Sequence, residues 1–228
     1  MALSIGFIFM ATRDDVTLRD ARAYIDAALA LGVVNLGFKD VGLPRSALRE
    51  LAAAIRAGGG VSFLEVVSLD RDSELASAAA AADFGVDWLL GGVRADEVAP
   101  IAASGGLRYA PFPGTIVGHP SALRGGRDEI VASARALCAI EGVDGLDLLA
   151  YRSAVDPPEL VGAVTAAVAK PVIVAGSIDA PERVRAVLAA GAAGFTIGTA
   201  AIDGRYAPGE RDFAAQIRAV LRTVAGAG

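Results

Sequence analysis

Apolar runs of strand length alternate with segments of helical periodicity along the whole chain, and this alternation restricts the folds that the chain can adopt. Eight strand–helix pairs fit into the 228 residues, and no stretch of different composition separates them. The apolar runs are nearly continuous, which is typical of parallel strands covered on both faces. The predicted strands span residues 3–11, 33–39, 61–68, 88–91, 108–112, 146–151, 171–175 and 194–198. The predicted helices span residues 17–31, 46–57, 73–84, 95–103, 128–140, 158–169, 181–190 and 212–224, with Thr17 as the N-cap of the first.

Four of the predicted strands follow a glycine that ends a helix, which supports the count of eight units. These glycines are Gly32, Gly85, Gly142 and Gly191. Glycine is preferred there because it adopts the left-handed conformation without strain. Eight βα units in a chain of this length predict an α/β protein, a single (β/α)8 or TIM barrel that spans residues 1–228 as one domain. A doubly wound sheet is the alternative.

Composition excludes several classes of protein. The net charge is −5 and no run of basic residues occurs, so neither a nucleic acid nor an anionic membrane surface is an expected partner. The single Cys138 and the single His119 exclude a disulfide framework and a zinc site of Cys and His ligands, and no metal is expected. No apolar stretch reaches the roughly 20 residues of a membrane helix. These features predict a cytoplasmic protein, and the outer helices of a barrel leave a homodimer possible.

Two glycine–hydroxyl pairs end the last two predicted strands. Gly176 and Ser177 follow strand seven, and Gly198 and Thr199 follow strand eight. Small residues at these points leave backbone N–H groups uncovered, and a short helix beginning at Thr199 would direct further N–H groups toward the same place. Barrel enzymes often hold a phosphate there, so the pattern predicts a phosphate site. Simple crowding at the strand ends is the alternative explanation.

With these two turns, residues 171–202 resemble the phosphate-binding (β/α)8 barrel superfamily, also called ribulose-phosphate-binding barrels. This superfamily includes isomerases of histidine and tryptophan synthesis, hexulose-phosphate synthases, sugar-phosphate epimerases and KDPG-type aldolases. The resemblance implies a phosphorylated small-molecule substrate whose phosphate lies on the loops after strands seven and eight.

The chain departs from individual members of that superfamily where their chemistry resides. The histidine- and tryptophan-pathway isomerases have an acid or Cys at the end of strand one, where this chain has Ile8, Phe9 and Met10. The metal-dependent epimerases need two His residues, whereas this chain has only His119. The KDPG-type aldolases carry their Schiff-base Lys on strand six, where this chain has Tyr151 and Arg152. The activity of no single member is therefore assigned.

Lysine is rare in this chain, so its positions are informative. Of the 21 basic residues only Lys39 and Lys170 are lysine, which suggests that lysine is kept where arginine cannot replace it. The alternation of the second strand turns Asn35 and Lys39 toward the barrel interior, with Lys39 at the catalytic end and Asn35 as a substrate-binding residue. Burial lowers the pKa of a lysine, which would allow Lys39 to act as a base or to form an imine. A structural ion pair is the alternative.

Glu65 interrupts an apolar strand, where a carboxylate is costly unless it is paired. Both faces of that strand are apolar, so its direction stays open. If Glu65 faces the barrel interior, it lies beside strand two and is the natural partner of Lys39. Such a pair could move a proton next to a carbonyl, as isomerisation or retro-aldol cleavage requires.

Strand six and loop five supply the remaining candidates. The alternation of strand six turns Asp147 and Tyr151 inward. Asp147 is expected to lie deep in the barrel in a structural, hydrogen-bonding role, and Tyr151 is expected to lie near the mouth. Arg152 follows, where its planar guanidinium could bind a carboxylate or a second phosphate. Loop five is long and rich in Pro and Gly, which is typical of a binding segment. It carries Ser121 and His119, and His119 is a candidate acid–base catalyst.

These observations predict a cofactor-independent enzyme acting on a small phosphorylated sugar or keto acid. The reaction is an isomerisation or epimerisation, or an aldolase-type cleavage, with Lys39 and Glu65 handling protons or an imine. Two alternatives stay open: an FMN-binding oxidoreductase, because related barrels hold the FMN phosphate on loops of this kind, and a phosphosugar sensor without catalysis.

Overall fold

Eight parallel strands follow one another around a barrel in the order of the chain, as the sequence predicts. The structure is a computed structural model that describes residues 5–226. The strands are β1 (Gly6–Met10), β2 (Asn35–Lys39), β3 (Val61–Val66), β4 (Trp88–Gly91), β5 (Arg108–Ala110), β6 (Leu146–Leu148), β7 (Val172–Val174) and β8 (Gly194–Ile197). The paired strands run from β6 through β8 and β1 to β5. At the seam, Asp144 N donates to Tyr109 O at 2.7 Å and Asp147 N donates to Pro111 O at 3.0 Å, which nearly closes the barrel.

Helices surround the barrel and cover the outer faces of the strands. They are α1 (Ala21–Ala30), α2 (Arg45–Ala57), α3 (Arg71–Phe84), α4 (Ala95–Ser104), α5 (Arg127–Ala139), α6 (Pro157–Ala167), α7 (Pro181–Ala189), α8 (Thr199–Ile202) and α9 (Phe213–Ala225). Within residues 5–226, no helix combines the length and the apolar character that crossing a membrane requires.

Aspartate side chains begin three of these helices. Asp70 accepts a hydrogen bond from Ser73 N at 3.0 Å, and Asp212 accepts one from Ala215 N at 3.2 Å. Asp156 precedes Pro157 and caps α6 in the same way. Each cap satisfies an amide that the first helical turn leaves free, a contribution of about 1 kcal/mol to stability.

The predicted start of the first helix is wrong. Helix α1 begins at Ala21, and Thr17 is not its N-cap but part of a short hairpin. Thr17 Oγ1 instead donates to Lys39 O and accepts from Lys39 N, both at 2.8 Å. Thr17 therefore holds the end of β2 in place. Residues 3 and 4 of the first predicted strand lie outside the described residues.

The barrel interior changes character along its axis. Its apolar part is filled by a cluster of side chains distinct from the larger core between strands and helices: Ile5, Ile8, Met10, Phe63, Trp88, Leu90, Ala110 and Ile173. Toward the carboxyl ends of the strands this filling gives way to Lys39, Glu65 and Asp147. A polar layer thus lies where barrel enzymes carry their chemistry.

Two loops at the carboxyl end fold into hairpins. The first hairpin pairs Thr12–Arg13 with Val16–Thr17, directly after β1. The second hairpin pairs Thr115–Val117 with Ala122–Arg124, within the long loop after β5. Both extend over the mouth of the barrel.

Close contact between β8 and β1 requires glycine at position 194. A Cβ at Gly194 would lie 2.5 Å from the Gly6 carbonyl oxygen and 2.9 Å from Ile5 Cγ2. Because the first contact is with backbone, the strands would have to separate. We expect Gly194→Ala to lower the free energy of unfolding by about 1–3 kcal/mol, measured in urea. Gly162→Ala, on α6 with nothing within 4 Å of its Cβ, should instead be stabilising. Equal stability of the two variants would contradict this account.

Candidate active site

A cleft of about 480 Å³ opens at the carboxyl ends of the strands. It is bounded by both hairpins and by the loops after β6, β7 and β8. Seven of the predicted site residues line it: Lys39, Glu65, Arg152, Gly176, Ser177, Gly198 and Thr199. The structure therefore brings together the predicted proton-handling pair and the predicted phosphate turns.

Lys39 lies between two carboxylates on the floor of the cleft. Its Nζ donates to Glu65 Oε1 at 2.8 Å and to Asp15 Oδ1 at 3.0 Å. All three side chains are buried. An ammonium group has three N–H donors, so one remains for a ligand. Glu65 Oε2 accepts no hydrogen bond from residues 5–226 and is the corresponding free acceptor.

The protonation of Lys39 differs from the sequence-based expectation. Burial alone would lower its pKa, but the Glu65 and Asp15 carboxylates outweigh burial and raise the pKa above the ordinary value. Lys39 is therefore an ammonium group at neutral pH. In this state it can donate hydrogen bonds and stabilise negative charge, and it is not a free amine nucleophile.

Asp15 is a site residue that the sequence analysis did not identify. It occupies the two-residue turn of the first hairpin, where Asp14 and Asp15 have φ values of 49° and 63°. A tight hairpin turn of this type requires positive φ at both positions, and Asp tolerates it better than most residues. Burial opposes the charge of Asp15, but hydrogen bonds from Arg152 and the charge of Lys39 hold its pKa well below the usual range. The Asp-Asp pair after strand one was the available signal.

Arg152 is bound to Asp15 and is not free to hold a carboxylate of a ligand. Its Nη1 and Nη2 donate to the two Asp15 oxygens at 2.5 Å and 2.9 Å, a bidentate pair. Its Nε donates to Ser177 Oγ at 3.3 Å, and Nη1 also donates to Ser121 O at 3.2 Å. Arg152 thus joins the Asp15 carboxylate to the predicted phosphate turn.

Asp147 is buried beneath this network. Its side chain has no exposed surface, and neither of its oxygens has a hydrogen-bond partner within residues 5–226. The predicted structural hydrogen bond is therefore absent from this part of the chain. Burial, with a further contribution from the Glu65 carboxylate, raises the pKa of Asp147 well above the usual range. The protonated form of Asp147 therefore persists to higher pH in the folded protein than in the unfolded chain.

The two predicted phosphate turns face the cleft from adjacent loops. Gly176 and Ser177 both have positive φ, 78° and 58°, and a non-glycine residue in this region marks a backbone held by its surroundings. The amides of Ser177, Thr199 and Ala200 donate to no acceptor in the described chain. The Thr199 hydroxyl is already used, because it accepts from Asp14 N at 3.2 Å.

Gly198 is also needed for packing. A Cβ there would lie 2.7 Å from Met10 O and 2.9 Å from Thr12 O, so the close approach of the first hairpin requires a glycine. The backbone amides, rather than the side chains, are therefore the free groups of the second turn.

Three predicted site residues lie away from the cleft. Asn35 points inward, but at the opposite end of the barrel, where its Nδ2 donates to Ile5 O. The exposed His119 sits at the tip of the second hairpin. Tyr151 lies away from the cleft because β6 ends at Leu148 and a 3-10 helix (Ala150–Arg152) breaks the alternation of the strand. The ring of Tyr151 lies 4.8 Å from the Arg183 guanidinium.

Comparisons with known proteins show the fold of this chain and do not assign its family. No family model and no curated protein matches the sequence. The native KDPGal structure has a TM-score of 0.68 at 18% identity, over 100% of this chain and 97% of that chain. The tryptophan synthase complex from Pyrococcus furiosus has a TM-score of 0.67 at 15% identity, over 97% of this chain and 98% of that chain. A FabK mutant from Thermotoga maritima reaches 0.58 at 17% identity, over 86% of this chain and 61% of that chain.

A neutral Asp147 makes stability depend on pH. The unfolded chain loses this proton near pH 3.9, whereas the folded protein retains it, so stability falls as pH rises above about 4. The Asp147→Asn variant has no carboxyl group to titrate at this position. Its free energy of unfolding relative to that of wild type should therefore rise with pH, by up to about 1.4 kcal/mol per pH unit. Urea unfolding across this range measures the slope. The exposed Asp128→Asn serves as the control, and an equal slope for wild type and Asp147→Asn would refute a neutral Asp147.

Proposed function

We propose that the protein is an aldolase-type lyase that cleaves a carbon–carbon bond in a small phosphorylated sugar or keto acid by acid–base chemistry. The observation that carries this proposal is the buried Lys39–Glu65 pair, at 2.8 Å, in a cleft that also contains turns with free backbone amides. The neighbours KDPGal aldolase and tryptophan synthase alpha are barrels of the phosphate-binding type, and a lyase is consistent with them.

The phosphate is proposed to bind the amides of Ser177, Thr199 and Ala200. Backbone N–H groups that have no internal acceptor are suited to an anion, and they need no rearrangement to receive one. Asp179 also lines the cleft, but its carboxylate is paired with Arg183 at 3.0 Å, which reduces its repulsion of a phosphate. Arg205 lines the same region, and its guanidinium lies 3.5 Å from the Asp203 carboxylate.

The proposed reaction uses the two groups that the structure leaves free. The third N–H of Lys39 binds the carbonyl oxygen of the substrate. Glu65 takes the proton of the β-hydroxyl group. The bond between the α- and β-carbons then breaks, and the β-carbon with its oxygen becomes an aldehyde. The electron pair of the broken bond passes to the α-carbon, which forms an enolate with the carbonyl group. The Lys39 ammonium stabilises the enolate oxygen, and the proton held by Glu65 is returned to carbon.

An acid–base route is favoured over an imine because of the charges around Lys39. Forming an imine requires a neutral amine, whereas two carboxylates keep this amine protonated. The same arrangement could move a proton in an isomerase or epimerase. The products of the reaction distinguish these, since only a lyase splits the substrate into two shorter carbon fragments.

Phosphate binding is tested with inorganic phosphate alone. A ligand present at 100 times its Kd stabilises the folded protein by about 2.7 kcal/mol, so phosphate should raise the Tm of wild type. Gly176→Ala should abolish this increase, because its Cβ would lie 2.7 Å from Arg152 Nε at a φ of +78°. Gly59→Ala is the matched control, since Gly59 has a φ of +76° with nothing within 4 Å and lies outside the cleft. A wild-type Tm unchanged by phosphate would refute the phosphate site.

The roles of Lys39 and Glu65 are tested on a panel of phosphorylated ketoses, aldoses and keto acids, with the formation of shorter-chain cleavage products as the assay. Lys39→Met and Glu65→Gln should each reduce kcat by about 10²–10⁴-fold. Lys170→Met is the control, because Lys170 donates to Val143 O outside the cleft. The double variant Lys39→Met/Glu65→Gln removes one charge of each sign and separates loss of catalysis from loss of folding.

Borohydride added during turnover should leave the mass of the protein unchanged. A reduced adduct on Lys39 would contradict the acid–base route and establish an imine. Phosphate binding without turnover on any member of the panel would favour the sensor, and flavin absorbance in the purified protein would favour the oxidoreductase.

A further inference from the structure

Ser121 carries an unused hydroxyl group at the edge of the cleft. The residue is 1% exposed, and its Oγ has no hydrogen-bond partner within residues 5–226. Only three other side chains of the described chain have buried polar atoms without a partner, namely those of Tyr109, Asp147 and Tyr206. None of these three lines the cleft, whereas Ser121 does. A buried hydroxyl without a partner is unfavourable, so its presence beside a binding cleft requires an explanation.

The backbone of Ser121 is held firmly in the site. Ser121 N donates to Asp15 Oδ2 at 3.0 Å, and Ser121 O accepts from Arg152 Nη1 at 3.2 Å. Asp15 is the same carboxylate that binds Lys39. The main-chain groups of Ser121 are therefore satisfied, and its side chain alone remains without a partner.

The side chain of Arg152 connects Ser121 to the proposed phosphate turn. One guanidinium group, that of Arg152, contacts Ser177 Oγ through Nε and Ser121 O through Nη1. A ligand whose phosphate lies on the Ser177 turn therefore has Ser121 within reach of the carbon chain that follows. Loop five thus contributes to the site through Ser121 rather than through His119.

We propose that the Ser121 hydroxyl recognises a hydroxyl group of the substrate, on the carbon chain close to the phosphate. This inference rests on the proposed function and specifies its substrate class as a hydroxylated phosphate ester. Ser121 acts as a specificity residue. On ligand binding, the buried Oγ exchanges an empty environment for a hydrogen bond.

Three probes test this role by calorimetry: inorganic phosphate, propyl phosphate, which adds a carbon chain, and glycerol 3-phosphate, which adds two hydroxyl groups to that chain. Wild type should bind glycerol 3-phosphate about five- to tenfold more tightly than propyl phosphate, the effect of one hydrogen bond. Ser121→Ala should remove this preference and leave the affinities for inorganic phosphate and propyl phosphate within about twofold. Ser121→Cys keeps the size of the side chain and should also lose the preference, which covers the case in which Ser121→Ala fails to fold. Ser104→Ala, on α4 outside the cleft, should behave as wild type.

The outcomes separate the two proposals. If none of the three phosphates binds wild type, the proposed phosphate function fails and the role of Ser121 fails with it. If all three bind but glycerol 3-phosphate is not preferred, or if the preference survives in both Ser121 variants, only the role of Ser121 is overturned.

Discussion

A buried lysine, a partly buried arginine and two buried carboxylates neutralise one another at the upper end of the barrel, and the rest of the site depends on that balance. Lys39 and Arg152 share Asp15, and Lys39 also binds Glu65. Removing charges from water is expensive, and removing one partner of a buried pair costs about 3–5 kcal/mol. Each member therefore fixes the others, while burial and the neighbouring Glu65 carboxylate raise the pKa of the fifth ionisable group, Asp147.

This balance links elements that are far apart in the chain. Asp15 comes from the loop after β1, Glu65 from β3, Arg152 from the end of the 3-10 helix, and Ser121 from the second hairpin. The charge network supplies specific anchors for both hairpins, and Ile116 and Leu123 of the second hairpin also pack into the hydrophobic core. As a result, the Lys39–Glu65 pair and the Ser177 turn are joined through one network of contacts.

The sequence predicted the barrel and the inward direction of Lys39, because both depend on local periodicity, whereas it left the direction of Glu65 open. The two-residue alternation of β2 correctly turned Lys39 inward, and the Gly-Ser and Gly-Thr pairs correctly marked the turns at the cleft. The same alternation misplaced Asn35, because it specifies the face of a strand but not the depth along the barrel axis. It misplaced Tyr151 because it assumes that the strand continues, whereas β6 ends earlier. The Asp-Asp pair after β1 marked the position of Asp15, but the roles of Asp15 and Ser121 arise from contacts across 137 and 106 residues of sequence and could not be found from local pattern.

The length of the first hairpin has a consequence for how this protein could diverge. Loops that only connect elements tolerate insertions at little thermodynamic cost. The loop between Thr12 and Thr17 differs, because one added residue would change the hairpin register and turn the carboxylate of Asp15 away from its partners. In descendants that keep the same chemistry, this loop should therefore retain its length while the surrounding surface varies, and such spacing would identify true relatives more reliably than overall resemblance.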